Sequence, residues 1–352
     1  MSEKFNGIRI EFHILQSFPV SCLNRDDLGA PKSAMIGGTP RARVSSQCWK
    51  RAVRLQMHEL GVKTANRTKY IVAIIKEKCM ALGADAEKAE KCGEWAAKAF
   101  TKTVKDGISD TLFFLSDSEA DGIAKAFADK SFKEIKDKDL QKICKNALNP
   151  AHDGLDIALF GRMVANAADM NVEAAASFAH AISTHRVDPE IDFFTAVDDC
   201  SQDDQSGSAH MGSLEFNSAT YYRYISLDLG QLAKTLKTDD ITTPVDAFVK
   251  ALFLAVPEAR QATMSAANPW NYAIVTLRKG QRMQLPFNTP VRTTPQKPDM
   301  VANSIEALKN NFDAAARMYG SLFGLKSKTE ISLESGSVDE LSENLKKAIE
   351  TL

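Results

Sequence analysis

The sequence predicts an α+β fold with a split sheet, and three observations carry that prediction. Residues 8–15, IRIEFHIL, set Ile8, Ile10, Phe12 and Ile14 on one face by strict alternation, the period of a half-buried strand. Far along the chain, YRYISLDL and NYAIVTLRKGQ repeat a strand-like pattern, with a helical segment at 243–255 between them. Between the first strand and these lies a long stretch, 65–185, that reads as helical throughout. Strand, helix, long helical insertion, then strand–helix–strand–helix is the order of an α+β domain whose sheet is divided by an insertion.

Each element follows in turn. After the first strand, SFPVSCLNRDDLGAPKSAMIGG is rich in turn residues and predicts a long loop, a length more often functional than merely connecting. Residues 45–60 predict a helix with Ser45 or Ser46 as N-cap. At about 100° per residue Trp49, Val53, Met57 and Leu60 share one face, Gln47, Arg51 and Arg54 lie roughly opposite, and Lys50 sits at the flank. The insertion carries Lys/Glu/Ala-rich segments such as DAEKAEKCGEWAAKAFTKTV and a strongly charged middle, FADKSFKEIKDKDLQKICKNAL, read as solvated surface. LDIALFGRMVANAADM and NVEAAASFAHAISTHRV read as compact small-residue helices. At Asp188 the composition shifts: two short aromatic strands flank an acidic Ser/Gly-rich tip, the pattern of an extended hairpin. A last long helix is predicted over 298–319, with a short one after SGSVDE.

Composition bounds the class. With 352 residues, 44% hydrophobic and 25% charged, the chain can bury a full core. It has no apolar run of the roughly 20 residues a membrane span needs, and its N-terminus lacks the apolar centre of a signal peptide. A cytoplasmic protein with no membrane partner is expected. The cysteines are scattered without a CxxC pair, so buried free thiols are expected rather than a zinc site or a disulfide framework. No Walker sequence, GxSxG or Cys/His signature is present. Asp26–Asp27, Asp198–Asp199 and Asp203–Asp204 are sequence neighbours, which do not face one another and suit turns better than a metal or acid–base pair. His180 and His185 miss the i, i+4 metal spacing. No metal, cofactor or catalytic residue is expected.

One stretch stands apart. From Leu28 to His58 there is no Asp or Glu, yet Lys32, Arg41, Arg43, Lys50, Arg51 and Arg54 all fall there, in a chain of net charge −1. At average composition about four acids would be expected in such a window. The amides at Ser45, Ser46 and Gln47 open a helix whose positive dipole end favours anions, the neighbouring cations add fixed donors, and Gly37–Gly38 permits close backbone approach. Read from the residues alone, the strip is either a phosphate-binding surface or a solvated basic helix face.

The words of the sequence narrow the choice. SCLNRDD, GG, RVSSQCWKRA, GRM, AHAISTH, DFFTAVDD, GSAHMG and YYRY occur in this order over residues 21–224. Together they closely resemble the CasC family, the backbone subunit of type I-E CRISPR Cascade surveillance complexes. The resemblance implies a modified RRM-like (ferredoxin-like) palm in two parts, 1–60 and 223–352, helical fingers over 61–187 and a thumb hairpin over 188–222. It implies a subunit without cleavage activity, stacked head to tail with copies of itself along crRNA, beside other Cascade subunits, presenting the guide in segments to target DNA. Carried over by motif, Arg25, Lys32, Ser45, Ser46, Gln47, Lys50, Arg51 and Arg54 contact guide phosphates, with Arg41 and Arg43 in the same strip. Met163 at the finger tip, Phe194 and Thr195 on the thumb and Met211 on its returning strand pack at a flipped-out nucleotide.

The physics fits that carry-over. A protein that accepts any guide must hold phosphates and shape and leave base edges free, and apolar wedges interrupt stacking without reading sequence. The hairpin has seven acids and no Lys or Arg between Asp188 and Asp204. An acidic thumb reaching the basic palm of the next copy would make an open, heterologous contact. Two rivals differ in class: a type III-like backbone ribonuclease cutting target RNA through a loop aspartate, here Asp26 or Asp27, and a cellular RNA-binding protein unrelated to CRISPR.

Overall fold

The structure is a computed structural model that describes residues 3–196 and 210–352. Its chain divides into two compact units. A sheet unit comprises Gly7–Gln56, Phe178–Ser226 and Phe248–Leu352; a helical unit comprises Met57–Ser177 and Leu227–Ala247 with the N-terminal residues to Asn6.

The sheet unit is built on strands β1 (Ile8–Ser21), β2 (Ser33–Ile36), β3 (Thr39–Val44), β4 (Ala181–Ser183), β5 (Glu190–Ala196), β6 (His210–Asp228), β7 (Tyr272–Lys279) and β8 (Leu325–Ser332). Their order is β8-β7-β1-β6-β4-β3-β2, with β5 paired to β6. β1 and β7 run antiparallel from Ile8↔Lys279 to Leu15↔Tyr272. Alternation gives the sheet two different faces. On one, Leu15, Tyr222, Tyr224, Tyr272 and Ile274 form a core with Leu308 and Phe312 of a long helix, Met300–Tyr319. On the other, Phe18, Val44 and Tyr221 pack with Trp49 of helix α1 (Ser46–Glu59).

A buried polar network crosses the first face. Glu11 pairs with Arg278 and accepts from the Tyr224 hydroxyl. The Met283 amide donates to Glu11 Oε1 at 2.7 Å, and the Leu285 amide donates to Tyr222 Oη at 3.1 Å. These bonds tie the segment after β7 to the sheet, and every charge in the pair has a counterpart, as burial demands.

The helical unit has its own core, in which Ile71, Val72, Ile75, Cys92, Ala96, Ile123, Phe127 and Leu140 meet. The helices begin as their caps dictate: Asp85 accepts from the Lys88 amide, and Ser116 with Glu119 closes a capping box. Cys22, Cys48, Cys79, Cys92 and Cys144 are free thiols. Among the described residues, no helix is long and apolar enough to cross a membrane.

The α+β class, the helix after the first strand and the paired hairpin strands agree with the sequence reading, and several expectations do not. LDIALFGRMVANAADM is helical only over Leu155–Phe160 and a short turn at Ala168–Met170, and the strand expected to be half-buried is buried on both faces from Ile10 to Leu15. The segment NVEAAASFAHAISTHRV is not helical: β4 lies within it, Ala181 pairing with Val44 and Ile182 with Arg43 and Tyr222. Small residues of high helix propensity are recruited into the sheet because β4 bridges β3 and β6, and tertiary pairing outweighs a propensity of tenths of a kcal/mol per residue. The insertion also contains short strands, Asn66–Thr68 pairing with Phe113–Leu115. The predicted loop after residue 15 is partly structured as well: β1 continues to Ser21, and β2 and β3 form a hairpin turning at Gly37–Gly38.

Candidate nucleic-acid interface

Helix α1 organises the basic strip. Ser45 is its N-cap: its Oγ accepts from the Cys48 amide at 3.3 Å, while its own amide donates to Asn24 Oδ1 at 2.9 Å. Asn24 thereby ties the preceding loop to the helix start. The amides of Ser46 and Gln47 lie in the first turn, upstream of any intrahelical acceptor, which leaves them as free donors at the helix start. Trp49 and Val53 are buried. Leu60, predicted on the same face, falls beyond the helix end and is exposed.

The cations separate by burial. Arg25 and Arg51 are exposed, and Lys32, Arg43, Lys50 and Arg54 are partly so. Arg51 Nη1 meets Glu258 Oε2 at 2.6 Å, and Arg43 Nη1 lies 3.0 Å from His180 Nδ1. Lys50 Nζ stands 5.9 Å over the Phe178 ring, and partial burial lowers its pKa. The strip's field is legible in His180, whose pKa is lowered by burial first and then by Arg43 and Lys32. A cavity of about 720 Å³ opens beside α1, lined by Asn24, Arg25, Asp26, Cys48, Arg51 and Glu258 among others.

Arg41 is a correction to the predicted strip. It is 0% exposed, and its guanidinium donates to the carbonyls of Ser183 at 2.7 Å, Phe287 at 2.9 Å and Asn288 at 3.3 Å. Arg41 and Arg43 are two residues apart on β3 and share a face, so what separates them is cover: the Ser183, Phe287 and Asn288 carbonyls close over Arg41, whereas Arg43 stays partly exposed beside His180. Arg41 fastens the 287–288 segment instead of meeting solvent. Gly37 has the same business: with φ +58°, an added Cβ would stand 2.2 Å from the Asn288 carbonyl oxygen. Its close approach is to the protein's own backbone.

The apolar candidates fall in three places. In the helical unit Met163 is 86% exposed. The turn presenting it is pinned from below. Arg162 is buried, its Nη1 2.8 Å from both Glu119 carboxylate oxygens, and its amide and carbonyl exchange hydrogen bonds with Val172. Arg162, in the GRM motif, is a residue the sequence reading passed over; a lone Arg in a small-residue segment carries no signal of its buried partner. In the sheet unit, the β5–β6 register pairs Thr195 with Met211, Phe194 with Gly212 and Phe193 with Ser213. Thr195 and Met211 therefore share one hairpin face with Ile191 and Phe193, whereas Phe194 lies on the other, its ring over Gly212. Phe193 and Met211 are 64% and 63% exposed, so the more open apolar face is the one that Phe193, not Phe194, shares with Met211. The acidic tip, with Asp198, Asp199, Asp203 and Asp204, lies outside the described residues.

Among known proteins, no curated one matches this sequence. The chain superposes on a chain of a solved "CRISPR RNA-guided surveillance complex, pre-nicking" with TM-score 0.82 and 26% identity, over 97% of this chain and 100% of that one. A second, from a "CRISPR RNA-guided surveillance complex", shares the fold at TM-score 0.71 and 21% identity, over 97% and 99% of the two chains. Both superpositions run nearly end to end, so they take in the sheet unit, the helical insertion and the hairpin strands. Residues 10–351 match the model of the CT1975-like protein family, and the chain belongs to that family.

Proposed function

We propose that this chain is a crRNA-binding backbone subunit of a type I, I-E-like Cascade complex, the role of the CasC family, without catalytic activity of its own. The observation that carries the reading is helix α1: a Ser45-capped N-terminus with free amide donors, flanked by Lys32, Arg43, Lys50, Arg51 and Arg54, docked on the sheet by Trp49. That arrangement suits a phosphate chain, since fixed donors and cations meet the backbone and no base edge need be read. The full-length likeness to a chain of an RNA-guided surveillance complex supports RNA as the polyanion. Exposed Met163 on the helical unit, and Phe193 and Met211 on the hairpin, are suited to wedge between bases and interrupt stacking. Copies stacking head to tail would present the guide in segments for pairing with target DNA.

Asp26, the candidate nucleophile-positioning carboxylate of the ribonuclease reading, is engaged in its own loop. Its Oδ1 accepts from the amides of Leu28 at 2.9 Å and Ala30 at 3.0 Å, the work of a turn-forming aspartate.

Co-expression with a CRISPR array tests the proposal. The wild-type chain is expected to be recovered in a ribonucleoprotein with guide-length RNA, and joint Lys50→Ala and Arg51→Ala substitution to abolish assembly. Intact assembly of the double variant would remove α1 as the principal grip, and recovery of other cellular RNA in place of guides would overturn the Cascade reading.

A further inference from the structure

Four arginines are buried among the described residues, and three of them make several charge-assisted or carbonyl hydrogen bonds, although Arg41 Nε and Arg278 Nη2 are each left without a partner there. Arg278 faces Glu11, Arg162 faces Glu119, and Arg41 donates to three backbone carbonyls. Arg223, in the YYRY segment of β6, is different. It is 1% exposed, and its one hydrogen bond among the described residues runs from Nη1 to Gln16 Oε1. Nε and Nη2 have no partner among the described residues. Burial lowers its pKa to about 9, and no carboxylate of the described residues pairs with it.

Its position is as unusual as its isolation. The guanidinium carbon sits 3.6 Å from the centroid of the Trp49 ring, a cation stacked on the aromatic face. Trp49 is the residue by which α1 docks on the sheet, and Ser46, Gln47, Lys50 and Arg51 surround it in sequence. Arg223 thus lies under the Trp49 side of α1, with the indole and the thickness of the helix between it and the face that carries Gln47 and Arg51. A ring recovers part of the desolvation cost of a cation but does not neutralise it. Charge separated from an anion by protein rather than by water is screened little, so its attraction reaches the surface.

We infer that Arg223 is a buried counter-charge for the phosphate chain bound on α1, a positioning residue that destabilises the free sheet unit and is compensated when a polyanion lies along the outer face of α1. The inference rests on the reading of α1 as the phosphate-binding helix. It separates Arg223 from the surface cations: those donate to phosphates directly, whereas Arg223 acts through Trp49 and touches none.

The test uses the full chain and a single-stranded uridine 30-mer, with Arg223→Met and Arg223→Gln beside the Lys50→Ala, Arg51→Ala double variant. Both Arg223 variants are expected to melt higher than wild type when free, yet to bind the 30-mer about tenfold more weakly, the size of one unit-charge attraction across roughly 12 Å, a helix thickness, at an effective dielectric constant of about 20. They should also gain less thermal stability on adding RNA. A purely structural arginine predicts the opposite: a lower melting point, with affinity unchanged in the folded fraction. Variants that melt lower, fail to fold or bind as wild type overturn the role of Arg223, and the double variant's loss of binding would show that α1 still holds RNA. If the double variant also binds normally, the reading of α1 fails and this inference with it.

Discussion

His13 shows how a single buried side chain sets the response of the sheet unit to acid. Its ring is packed among Tyr222, Tyr224 and Phe312, with Nδ1 2.9 Å from the Tyr222 hydroxyl. Burial first, and the Arg278 charge second, push its pKa from 6.5 down to about 3. A base whose folded pKa lies below its unfolded value stays neutral in the native state while the unfolded chain takes up a proton. The contribution of His13 is therefore complete above about pH 6.5 and is lost as pH falls toward 3, by about 4–5 kcal/mol in all. Urea titrations across this range should show stability falling with acid in the wild type, and a slope shallower by about one proton in His13→Leu. Equal slopes would assign the acid sensitivity elsewhere. Neither the burial of His13 nor that of Arg41 is written in its immediate neighbours. Strand alternation says that a residue faces one side of the sheet, but only the assembled sheet says what covers that side.

At the scale of elements, the β2–β3 hairpin is held by two residues that sequence reading assigned to an outside ligand. Arg41 and Gly37 both close on the 287–288 segment. Gly37 and Gly38 share positive φ, +58° and +71°, but only at Gly37 would a Cβ meet backbone, whereas nothing lies within 4 Å of one at Gly38. Gly37→Ala is accordingly expected to cost clearly more stability than Gly38→Ala, about 3 kcal/mol or more against about 1 kcal/mol. Thermal denaturation of the two variants checks this, and equal losses would mean that the hairpin turn, not its contact with Asn288, sets the cost. Local pattern made β1, β7, α1 and the Met300–Tyr319 helix legible, because each shows a clean period over many residues. β4 and β8 were missed for the converse reason: three residues of Ala-Ile-Ser hold no period, and LKSKTEIS is an exposed, lysine-bearing edge with little apolar signal.

For the molecule as a whole, charge is divided along the chain instead of averaged over it. The acid-free window from Leu28 to His58 and the Lys- and Arg-free window from Asp188 to Asp204 nearly cancel in a net charge of −1. If the acidic hairpin of one copy meets the basic strip of the next, the two windows are halves of one contact, open-ended and suited to a filament. Reversing Asp198, Asp199, Asp203 and Asp204 to lysine should shorten the assemblies formed on guide RNA, as measured by mass photometry or sedimentation. Unchanged length would exclude the tip as the acidic partner. The sequence by itself determined the α+β class, the capped basic helix and the acidic hairpin, since periodicity, capping chemistry and charge are properties of neighbours along a chain. Only the tertiary structure decided that Arg41 serves the hairpin, that Phe193 rather than Phe194 shares a face with Met211, and that Arg223 is stacked on Trp49 with only Gln16 as its hydrogen-bond partner among the described residues. Those depend on which distant strand, loop or ring arrives to cover each side chain, and burial is a property of the whole fold.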